Sequence, residues 1–532
     1  MPADGSAGWV LLLPGPRAGT RVLCLELDGV RNAESLAYWH ERVTALTANA
    51  AASSITEFTV GAADSGVPSD WRPGRPLPFA AHTFDLVVCR LGGGDGTSLD
   101  SLPGLLLECA RVATERATLY LDLPNPLSYQ RVGAWMRGRR SAAPRGGSRR
   151  SAERALRRAG FDTLLSHAFT TERGEIADVI PRRGYRPTRN SWSPAERVKR
   201  LLLSRGLARI FAGAFGIVAQ RGAADATLLE LLAKHASLAA DAPFDSCFVN
   251  PGKTFVRFGG SMFVVPAQAT VVARRRLEVR VLAQLRASGL ALSRLAPKIA
   301  REFELAGRPA FEFEALDGAT IDAPTADFDA LVGRAYDLLC EFDRESLRRV
   351  SVGAPEFAAL AGNALESAQR WYPELAQRLD RLGARLRERL MGATLPVVWI
   401  HGDYKLENLI IDEGTRQVHA VIDWELGAPL GLPLTDLYYL LCYRRVTSGD
   451  VDDVLDCVAP QLVAQDWTES EKAMLAKYLK LLDLDAGFTA LAVSCYVLQH
   501  IGLRYRYDAQ ARDRLESVLG SLETLWAPGA AS

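Results

Sequence analysis

Apolar and polar residues follow two spacings in the first 222 residues, and these separate short strands from helices. Candidate strands lie at 21–27, 43–48, 55–60, 84–91, 118–122, 161–169 and 215–220. Helical spacing occurs between several of them. Because strands that alternate with helices usually lie side by side in a sheet covered by those helices, residues 1–222 are predicted to form an α/β, Rossmann-like domain with a doubly wound parallel sheet.

The spacing changes after residue 222. A connecting helix is predicted at 223–240, followed by a small α+β region at 241–324 and a mostly helical region at 325–532. Short strands are expected in the small region at 246–250, 254–258, 261–265 and 310–315, with one helix at 271–286. A chain of 532 residues is expected to form more than one domain. We therefore predict an α/β domain followed by an α+β region.

Polar residues stand at both ends of a hairpin predicted in the helical region. The apolar run 395–400 leads into His401-Gly402-Asp403, and Asn408 precedes a strand–turn–strand pattern that ends at Asp423. A hairpin brings its open ends together, so Asn408 and Asp423 are expected to meet, with Asp403 in the loop beside them. Amide and carboxylate oxygens suit Mg²⁺, and a further carboxylate suits the orientation of a hydroxyl for phosphoryl transfer.

The order of these residues resembles the catalytic segment of the aminoglycoside phosphotransferase and choline kinase family, which has a bilobal, protein-kinase-like fold. The resemblance covers the HGD-x4-N segment, the hairpin and the IDWE segment. It implies that Asp403 is the catalytic base and that Asn408 and Asp423 bind metal. It also implies ATP and Mg²⁺ as cofactors, with residues 241–324 as the small, nucleotide-binding lobe and 325–532 as the large lobe.

Four neighbouring residues have weaker assignments. The resemblance implies that His401 and Asp436 brace the catalytic loop, whereas the structural alternative is a buried histidine and a helix N-cap. Trp424 is expected to be a packed core residue. Glu425 remains open between a group that supports the site and a surface acid.

The small lobe departs from the family pattern at one position. The family carries a Lys on its third strand that contacts the phosphates, but the matching segment, Met262-Phe263-Val264-Val265-Pro266, has Val there. The Glu that pairs with this Lys matches Glu278, for which a surface acid is the alternative. Lys253 or Arg257, on an adjacent strand, is the candidate to supply the missing charge and bind the nucleotide.

The N-terminal part resembles class I S-adenosylmethionine-dependent methyltransferases in the segments 77–88 and 159–161 and in its final strand. That family has a Gly-rich turn after the first strand, because the backbone must approach the cofactor closely. Here Gly29 is the single glycine of the segment 26–32, and the segment 43–48 lacks the expected acidic residue. We therefore predict a degenerate domain that does not bind S-adenosylmethionine, with active methylation as the alternative.

The composition of the chain limits which partners and which cellular compartment are expected. The chain is 48% hydrophobic and 23% charged, and its formal net charge of +1 gives no global field to attract nucleic acid or acidic membranes. The eight Cys are scattered, which favours buried thiols and a cytoplasmic protein. The first residues lack the pattern of a signal peptide, and no membrane insertion is expected.

Two classes of function follow. The first is an ATP- and Mg²⁺-dependent enzyme that transfers a phosphoryl group to a hydroxyl of a small molecule, such as a sugar, an aminoglycoside or an amino alcohol. The second is a nucleotide-binding pseudokinase or scaffold fused to an inactive methyltransferase-like domain, and a kinase acting on a peptide or protein is a further alternative. Acids of the large lobe are either ligands for a cationic acceptor or helix-surface charges: Glu341, Asp343, Asp483 and Asp485.

Overall fold

A computed structural model describes most of the chain. The described residues are 8–26, 33–48, 53–59, 62–63, 67–69, 71, 75–90, 102–136, 148–172, 175–181, 199, 201–203, 207–222, 225–239, 242–250, 252–298, 300–321, 324–504 and 509–526. The turn at 27–32, whose single Gly entered the prediction above, lies outside them.

The N-terminal part contains both strands and helices. Its strands are β1 (Arg21–Glu26), β2 (Arg42–Ala48), β3 (Ser53–Thr59), β4 (Ala62–Ala63), β5 (Val67–Ser69), β6 (Phe84–Arg90), β7 (Ala113–Pro124), β8 (Thr163–Glu172), β9 (Glu175–Ile180) and β10 (Ala214–Gln220). Its helices are α1 (Ala33–Trp39), α2 (Leu102–Val112), α3 (Tyr129–Met136), α4 (Arg149–Arg158) and α5 (Ala208–Phe211), and the connecting helix is α6 (Leu228–His235).

The C-terminal part begins with strands and continues with helices. Its strands are β11 (Ser246–Asn250), β12 (Lys253–Phe258), β13 (Ser261–Pro266), β14 (Ala300–Leu305), β15 (Arg308–Glu314), β16 (Arg348–Ser351), β17 (Thr394–Ile400), β18 (Leu409–Ile411), β19 (Val418–Val421) and β20 (Ala428–Gly431). Its helices are α7 (Ala269–Ser288), α8 (Phe328–Ser346), α9 (Ala354–Phe357), α10 (Asn363–Trp371), α11 (Ala376–Leu390), α12 (Thr435–Ser448), α13 (Glu469–Leu481), α14 (Ala486–Gln499) and α15 (Ala509–Leu525).

The predicted fold class is confirmed, although the N-terminal sheet is parallel only at its centre. Strands β2, β1, β6 and β7 are parallel neighbours in that order. Strand β3 is antiparallel to β2, and β10 lies antiparallel between β7 and β8. Residues 49–52 alone separate β2 from β3, which is too short for the crossover that a parallel pair needs. The predicted parallel sheet is therefore present at the centre, whereas the strands on either side of this centre are antiparallel.

The small lobe continues the N-terminal sheet. Strand β9 pairs with β11, so that Val179 lies opposite Cys247 and Asp178 opposite Phe248. Among the described residues this pairing joins the two parts in one 15-stranded sheet. Strands β11, β12, β13, β15 and β14 follow one another antiparallel across the small lobe.

The small-lobe sheet is covered on both faces. On one face Val256 and Phe263 share a buried core with Trp9 and Val22 of the N-terminal part. On the other face Val264 packs in the core that includes α7 and the large lobe. The side chains of β12 alternate in the same way, with Thr254, Val256 and Phe258 buried against the N-terminal part. The remaining side chains of β12 therefore face the cleft between the lobes.

The large lobe supports a short sheet and a hairpin. Strand β17 pairs with β16 and β20, and β18 pairs with β19. The hairpin is tied to the end of the small lobe by two hydrogen bonds between Ala319 and Ile411, of 2.9 and 2.8 Å. The predicted strand and hairpin are thus present, and helices pack around them in one core.

Two further expectations concern the whole chain. Among the described helices, none has both the length and the apolarity that a membrane crossing requires. All eight Cys are buried free thiols, as their scattered positions suggested.

His40 lies at the contact between the two parts, and we predict that it makes their stability depend on pH. Burial and then the nearby Arg308 guanidinium lower the pKa of His40 to about 4. In an unfolded chain the pKa of histidine is about 6.5. Because the unfolded chain takes up a proton before the folded one does, the contribution of neutral His40 is full above about pH 6.5 and is lost as the pH falls towards 4.

Replacement of the His40 side chain should therefore make the free energy of unfolding depend less on pH. Urea unfolding of His40→Gln is expected to vary less between pH 6.5 and 4 than unfolding of the wild type. His419→Gln, at an exposed position of β19, is the matched control. An equal pH dependence in all three proteins would contradict the assignment.

Candidate active site

The loop after β17 is fixed by its first two residues. Gly402 has a φ of 76°, and a Cβ there would lie 2.5 Å from the carbonyl oxygen of Leu426, so that only glycine fits. His401 is buried, and its Nδ1 accepts the N–H of Asp403 at 3.2 Å. Its Nε2 therefore carries the proton and donates to the carbonyl of Ile422 at 2.9 Å. The imidazole thus links the loop to the residue before Asp423.

The three residues of the predicted catalytic set belong to one hydrogen-bonded unit. The side-chain Nδ2 of Asn408 donates to the carbonyl of Asp403 at 2.9 Å. The carbonyl of Asn408 accepts the N–H of Ile422 at 2.9 Å. Asp423 follows directly, with left-handed backbone angles of φ 66° and ψ 54°. Such angles cost energy in a residue other than glycine and often occur at functional sites.

Asp436 anchors the first two residues of the loop. Its buried carboxylate accepts the backbone N–H of His401 at 2.6 Å and that of Gly402 at 2.8 Å. Helix α12 begins at Thr435 with Leu434 as its N-cap. The N-cap alternative for Asp436 is therefore wrong, and the bracing contact is present instead.

Glu278 and Trp424 connect the lobes. Glu278 is 3% exposed, so it is not a surface acid. Its Oε1 accepts the backbone N–H of Trp424 at 3.1 Å. The Trp424 ring is buried, and its indole N–H donates to Val421 at 2.9 Å. Burial raises the pKa of Glu278 to about 7, although the nearby Arg275 acts in the opposite direction.

Arg275 is the functional candidate that the sequence did not single out. Its guanidinium contacts Glu278, lies 3.0 Å from Oδ1 of Asp423 and contacts Glu425. Glu425, left open above, is thus part of this cluster. Burial opposes ionisation of Asp423, but the charges of Arg275 and then Lys253 outweigh it and hold its pKa below the usual value. Five Arg stand on α7, and sequence spacing does not tell which of them points into the cleft.

Lys253 and Arg257 lie on the cleft-facing side of β12 but have different neighbours. The ammonium of Lys253 lies 5.4 Å from the centre of the Phe255 ring, and Phe255 is opposite Val264 across the strand pair. Burial and then Arg275 lower the pKa of Lys253, while Asp423, Glu425 and Glu278 act in the opposite direction. Arg257 instead pairs with Asp317 at 2.7 Å. The structure thus brings Lys253, and not Arg257, to the acidic cluster.

Lys405 adds a second cation that the sequence prediction missed. Its Nζ lies 3.5 Å from Oδ2 of Asp403 and 3.2 Å from Glu407. The same atom lies 4.4 Å from the centre of the Tyr443 ring on α12. A Lys two residues after Asp403 was visible in the sequence, but its direction was not.

The residues present fit a magnesium ion. Among the described residues no group of three or more His, Cys, Asp or Glu is arranged to hold a metal. Asn408 and Asp423 supply an amide and an ionised carboxylate oxygen, which are ligands that Mg²⁺ takes together with water and phosphate oxygens. The hydrogen bond of Asn408 through Nδ2 directs its Oδ1 away from the Asp403 carbonyl.

The N-terminal sheet has charged residues where a cofactor would be expected. Ligands of parallel α/β sheets bind at the carboxyl ends of the strands, where the strand order reverses. At this edge Glu26 of β1, Arg90 of β6 and Asp122 of β7 lie in one row across three strands. All three are buried, and Arg90 lies 2.7 Å from Asp122 and over the ring of Trp9.

The bracing contact of Asp436 yields a stability prediction. Asp436→Ala leaves two buried N–H groups of the loop without their acceptor, which should lower the free energy of unfolding by roughly 2–5 kcal/mol. Asp485→Ala removes a helix cap, where the carboxylate accepts the N–H of Phe488 at 2.9 Å, and should lower it by about 1 kcal/mol. Urea unfolding measures both. An equal, small loss in the two variants would show that the hydrogen bonds of Asp436 do not stabilise the fold to this extent.

Comparisons with known proteins give partial matches. The mouse acyl-CoA dehydrogenase family member 11 is 39% identical over 62 residues, which span 12% of this chain and 8% of that protein. The aminoglycoside phosphotransferase APH(3'')-Id from Streptomyces rimosus is similar in structure with a TM-score of 0.34 and 17% identity, over 51% of this chain and 97% of its own.

Two other solved structures are similar to different parts of the chain. The choline kinase LicA from Streptococcus pneumoniae has a TM-score of 0.31 and 13% identity, over 52% of this chain and 90% of its own. A SAM-dependent methyltransferase from Archaeoglobus fulgidus has a TM-score of 0.17 and 17% identity, over 26% of this chain and 60% of its own.

A family comparison identifies the part that carries the site. Residues 234–468 match the phosphotransferase enzyme family. This range contains α7, the loop after β17, the hairpin and Asp436. The C-terminal part of the chain therefore contains a phosphotransferase-family domain.

Proposed function

We propose that the protein transfers the γ-phosphoryl group of ATP to a hydroxyl of a small molecule in a Mg²⁺-dependent reaction. The family match supports a small-molecule phosphotransferase. The observation that carries the finer proposal is the hydrogen-bonded unit of Asp403, Asn408 and Asp423, which joins one carboxylate to a pair of hard oxygen ligands.

Asp403 is proposed to act on the acceptor. Its carboxylate accepts the hydroxyl proton as the acceptor oxygen bonds to the γ-phosphorus. The bond from that phosphorus to the β–γ bridging oxygen breaks, and ADP leaves with the electron pair. Asp403 is only 8% exposed, which limits competition from water for the same proton.

Asn408 and Asp423 are proposed to hold the metal. Bound Mg²⁺ would neutralise negative charge on the phosphates. The two residues lie at the open end of the hairpin, Asn408 before its first strand and Asp423 after its second. Their separation is therefore set by strand pairing, in which Leu409 lies opposite Val421. The lowered pKa of Asp423 keeps its carboxylate ionised at neutral pH.

Two lysines are proposed to contact the phosphates from opposite sides. Lys253 extends from the small lobe over the ring of Phe255, which lies opposite Val264 on the strand that lacks the family's Lys. Lys405 lies in the catalytic loop beside Asp403. An ammonium on a flexible stem suits a phosphate because it acts as a point charge.

The acceptor is proposed to be a small molecule of the sugar, aminoglycoside or amino alcohol class. Two of the acids considered as ligands for a cationic acceptor have structural partners. Asp343 is buried against Tyr478, and burial raises its pKa well above the usual value. Asp485 caps α14. Glu341 and Asp483 are exposed, so these four acids do not form one anionic pocket for a cationic acceptor.

The N-terminal part is proposed to brace the small lobe instead of methylating a substrate. The shared β9–β11 pairing and the common core support this role. The buried row of Glu26, Arg90 and Asp122 places mutually compensating charges at the edge where a cofactor would bind. Titration with S-adenosylmethionine in a calorimeter should give no heat of binding, and binding would refute this role.

Replacement of the proposed base tests the chemistry. With ATP, Mg²⁺ and a panel of hydroxyl compounds, the wild type should release ADP with its acceptor. Asp403→Asn should lower turnover by about 10²–10⁴-fold because the proton acceptor is lost. Binding of ADP, measured by calorimetry, should change little.

The control for this experiment is Glu413→Gln, an exposed carboxylate in the turn of the same hairpin. It should leave turnover unchanged. Full turnover in Asp403→Asn would remove Asp403 from the mechanism. ADP binding without turnover on any acceptor in the wild type would favour the nucleotide-binding scaffold.

Replacement of the proposed metal ligand tests the cofactor. Asp423→Asn should weaken binding of ADP in the presence of Mg²⁺ by at least roughly tenfold, as expected when a metal ligand or its support is altered. Binding of ADP without Mg²⁺ should be far less affected. Calorimetry in the two conditions measures the difference, and equal affinities of the variant and the wild type would contradict the metal role.

A further inference from the structure

Arg275 contacts one of the two carboxylate oxygens of Asp423, the proposed metal ligand. Its Nη2 lies 3.0 Å from Oδ1 of Asp423. The same nitrogen contacts Glu425, and Nη1 contacts Glu278. The guanidinium therefore bridges α7 of the small lobe and the segment that follows the hairpin in the large lobe.

Burial and contacts with three carboxylates fix the position of Arg275. Its side chain is 4% exposed. Glu278, one turn further along α7, is itself held by the N–H of Trp424 at 3.1 Å. Departure of the guanidinium would leave Glu278, Asp423 and Glu425 close together. The remaining nearby cations are Lys253 and Arg274, which lies 3.6 Å from Glu425. Because buried carboxylates without a partner are costly, the cluster keeps Arg275 in place.

A fixed guanidinium limits the metal that Asp423 can bind. Arginine stays charged in proteins and only donates hydrogen bonds, so it competes directly with a cation for Oδ1. The other carboxylate oxygen of Asp423, Oδ2, then remains for a metal. A second divalent cation at Asp423 would also be repelled by Arg275 and Lys253.

We propose that Arg275 is a positioning residue that restricts this site to a single divalent cation per bound nucleotide. The inference rests on the proposed function, since it assumes that Asn408 and Asp423 hold the metal of a nucleotide complex. Under the same proposal, Glu278 pairs with Arg275 of its own helix and not with a Lys, which the third strand lacks. The guanidinium then ties Glu278 to the metal-binding segment.

Native mass spectrometry of the full-length chain counts the metal ions directly. The chain is mixed with the β,γ-imido analogue of ATP and Mn²⁺, and the mass of the nucleotide-bound species is read. The wild type is expected to carry one Mn²⁺ per nucleotide. Arg275→Met, which frees Oδ1 of Asp423, is expected to carry two, or to bind the first at least tenfold more tightly.

A neighbouring arginine supplies the matched control. Arg276 lies next on α7 but pairs with Glu302 at 2.6 Å on the exposed side. Arg276→Met should behave as the wild type and corrects for Mn²⁺ bound elsewhere. Arg275→Lys keeps a positive charge and should also retain one Mn²⁺. Arg275→Gln removes the charge and should gain Mn²⁺ as Arg275→Met does, so it replaces the Met variant if that chain does not fold.

Each outcome decides the proposal. Two Mn²⁺ per nucleotide in the wild type would overturn it, as would unchanged stoichiometry and affinity in a folded Arg275→Met chain. A nucleotide complex without Mn²⁺ in the wild type would overturn it together with the proposed metal ligands. One Mn²⁺ in the wild type and a gain in Arg275→Met support it, even if no acceptor is phosphorylated and the proposed reaction fails.

Discussion

The hydrogen bond from the backbone of Ile422 to the carbonyl of Asn408 is the constraint on which the site depends. It closes the open end of the β18–β19 hairpin and sets Asp423 beside Asn408. The side chain of Asn408 then fixes the carbonyl of Asp403. Asp436 secures the other end of the loop through two backbone N–H groups. The relative positions of the catalytic candidates thus follow from hydrogen bonds to the main chain that are made by buried groups.

The electrostatics of the cleft compensate for a change in the small lobe. Val264 stands on the strand that carries a Lys in the related family, and a buried acid at Glu278 would otherwise lack a partner. Arg275 and Lys253 bring positive charge to this place from α7 and β12. The surrounding small lobe is held between the large lobe and the N-terminal part, with which it shares a sheet and a core. Such support suits a cluster of buried charges, which tolerates little displacement.

Much of this arrangement could be predicted from local sequence. The apolar run before His401 and the two short strands after Asn408 specify the hairpin, because strand and turn signals act over a few residues. The position of Arg275 was not predictable, since its direction depends on how α7 packs on the large lobe. The antiparallel edges of the N-terminal sheet and the β9–β11 pairing were missed for a similar reason. They depend on contacts between distant segments, and no local spacing specifies them.

The central claim is that Asp403, Asn408 and Asp423 surround one divalent cation in the cleft between the lobes. A crystal structure of the full chain with ADP and Mn²⁺, with anomalous scattering recorded at the manganese edge, tests it most directly. The anomalous peak is expected between the side-chain oxygens of Asn408 and Asp423, next to the nucleotide phosphates and facing the carboxylate of Asp403. A peak bound to other residues, or ADP bound outside this cleft, would contradict the claim.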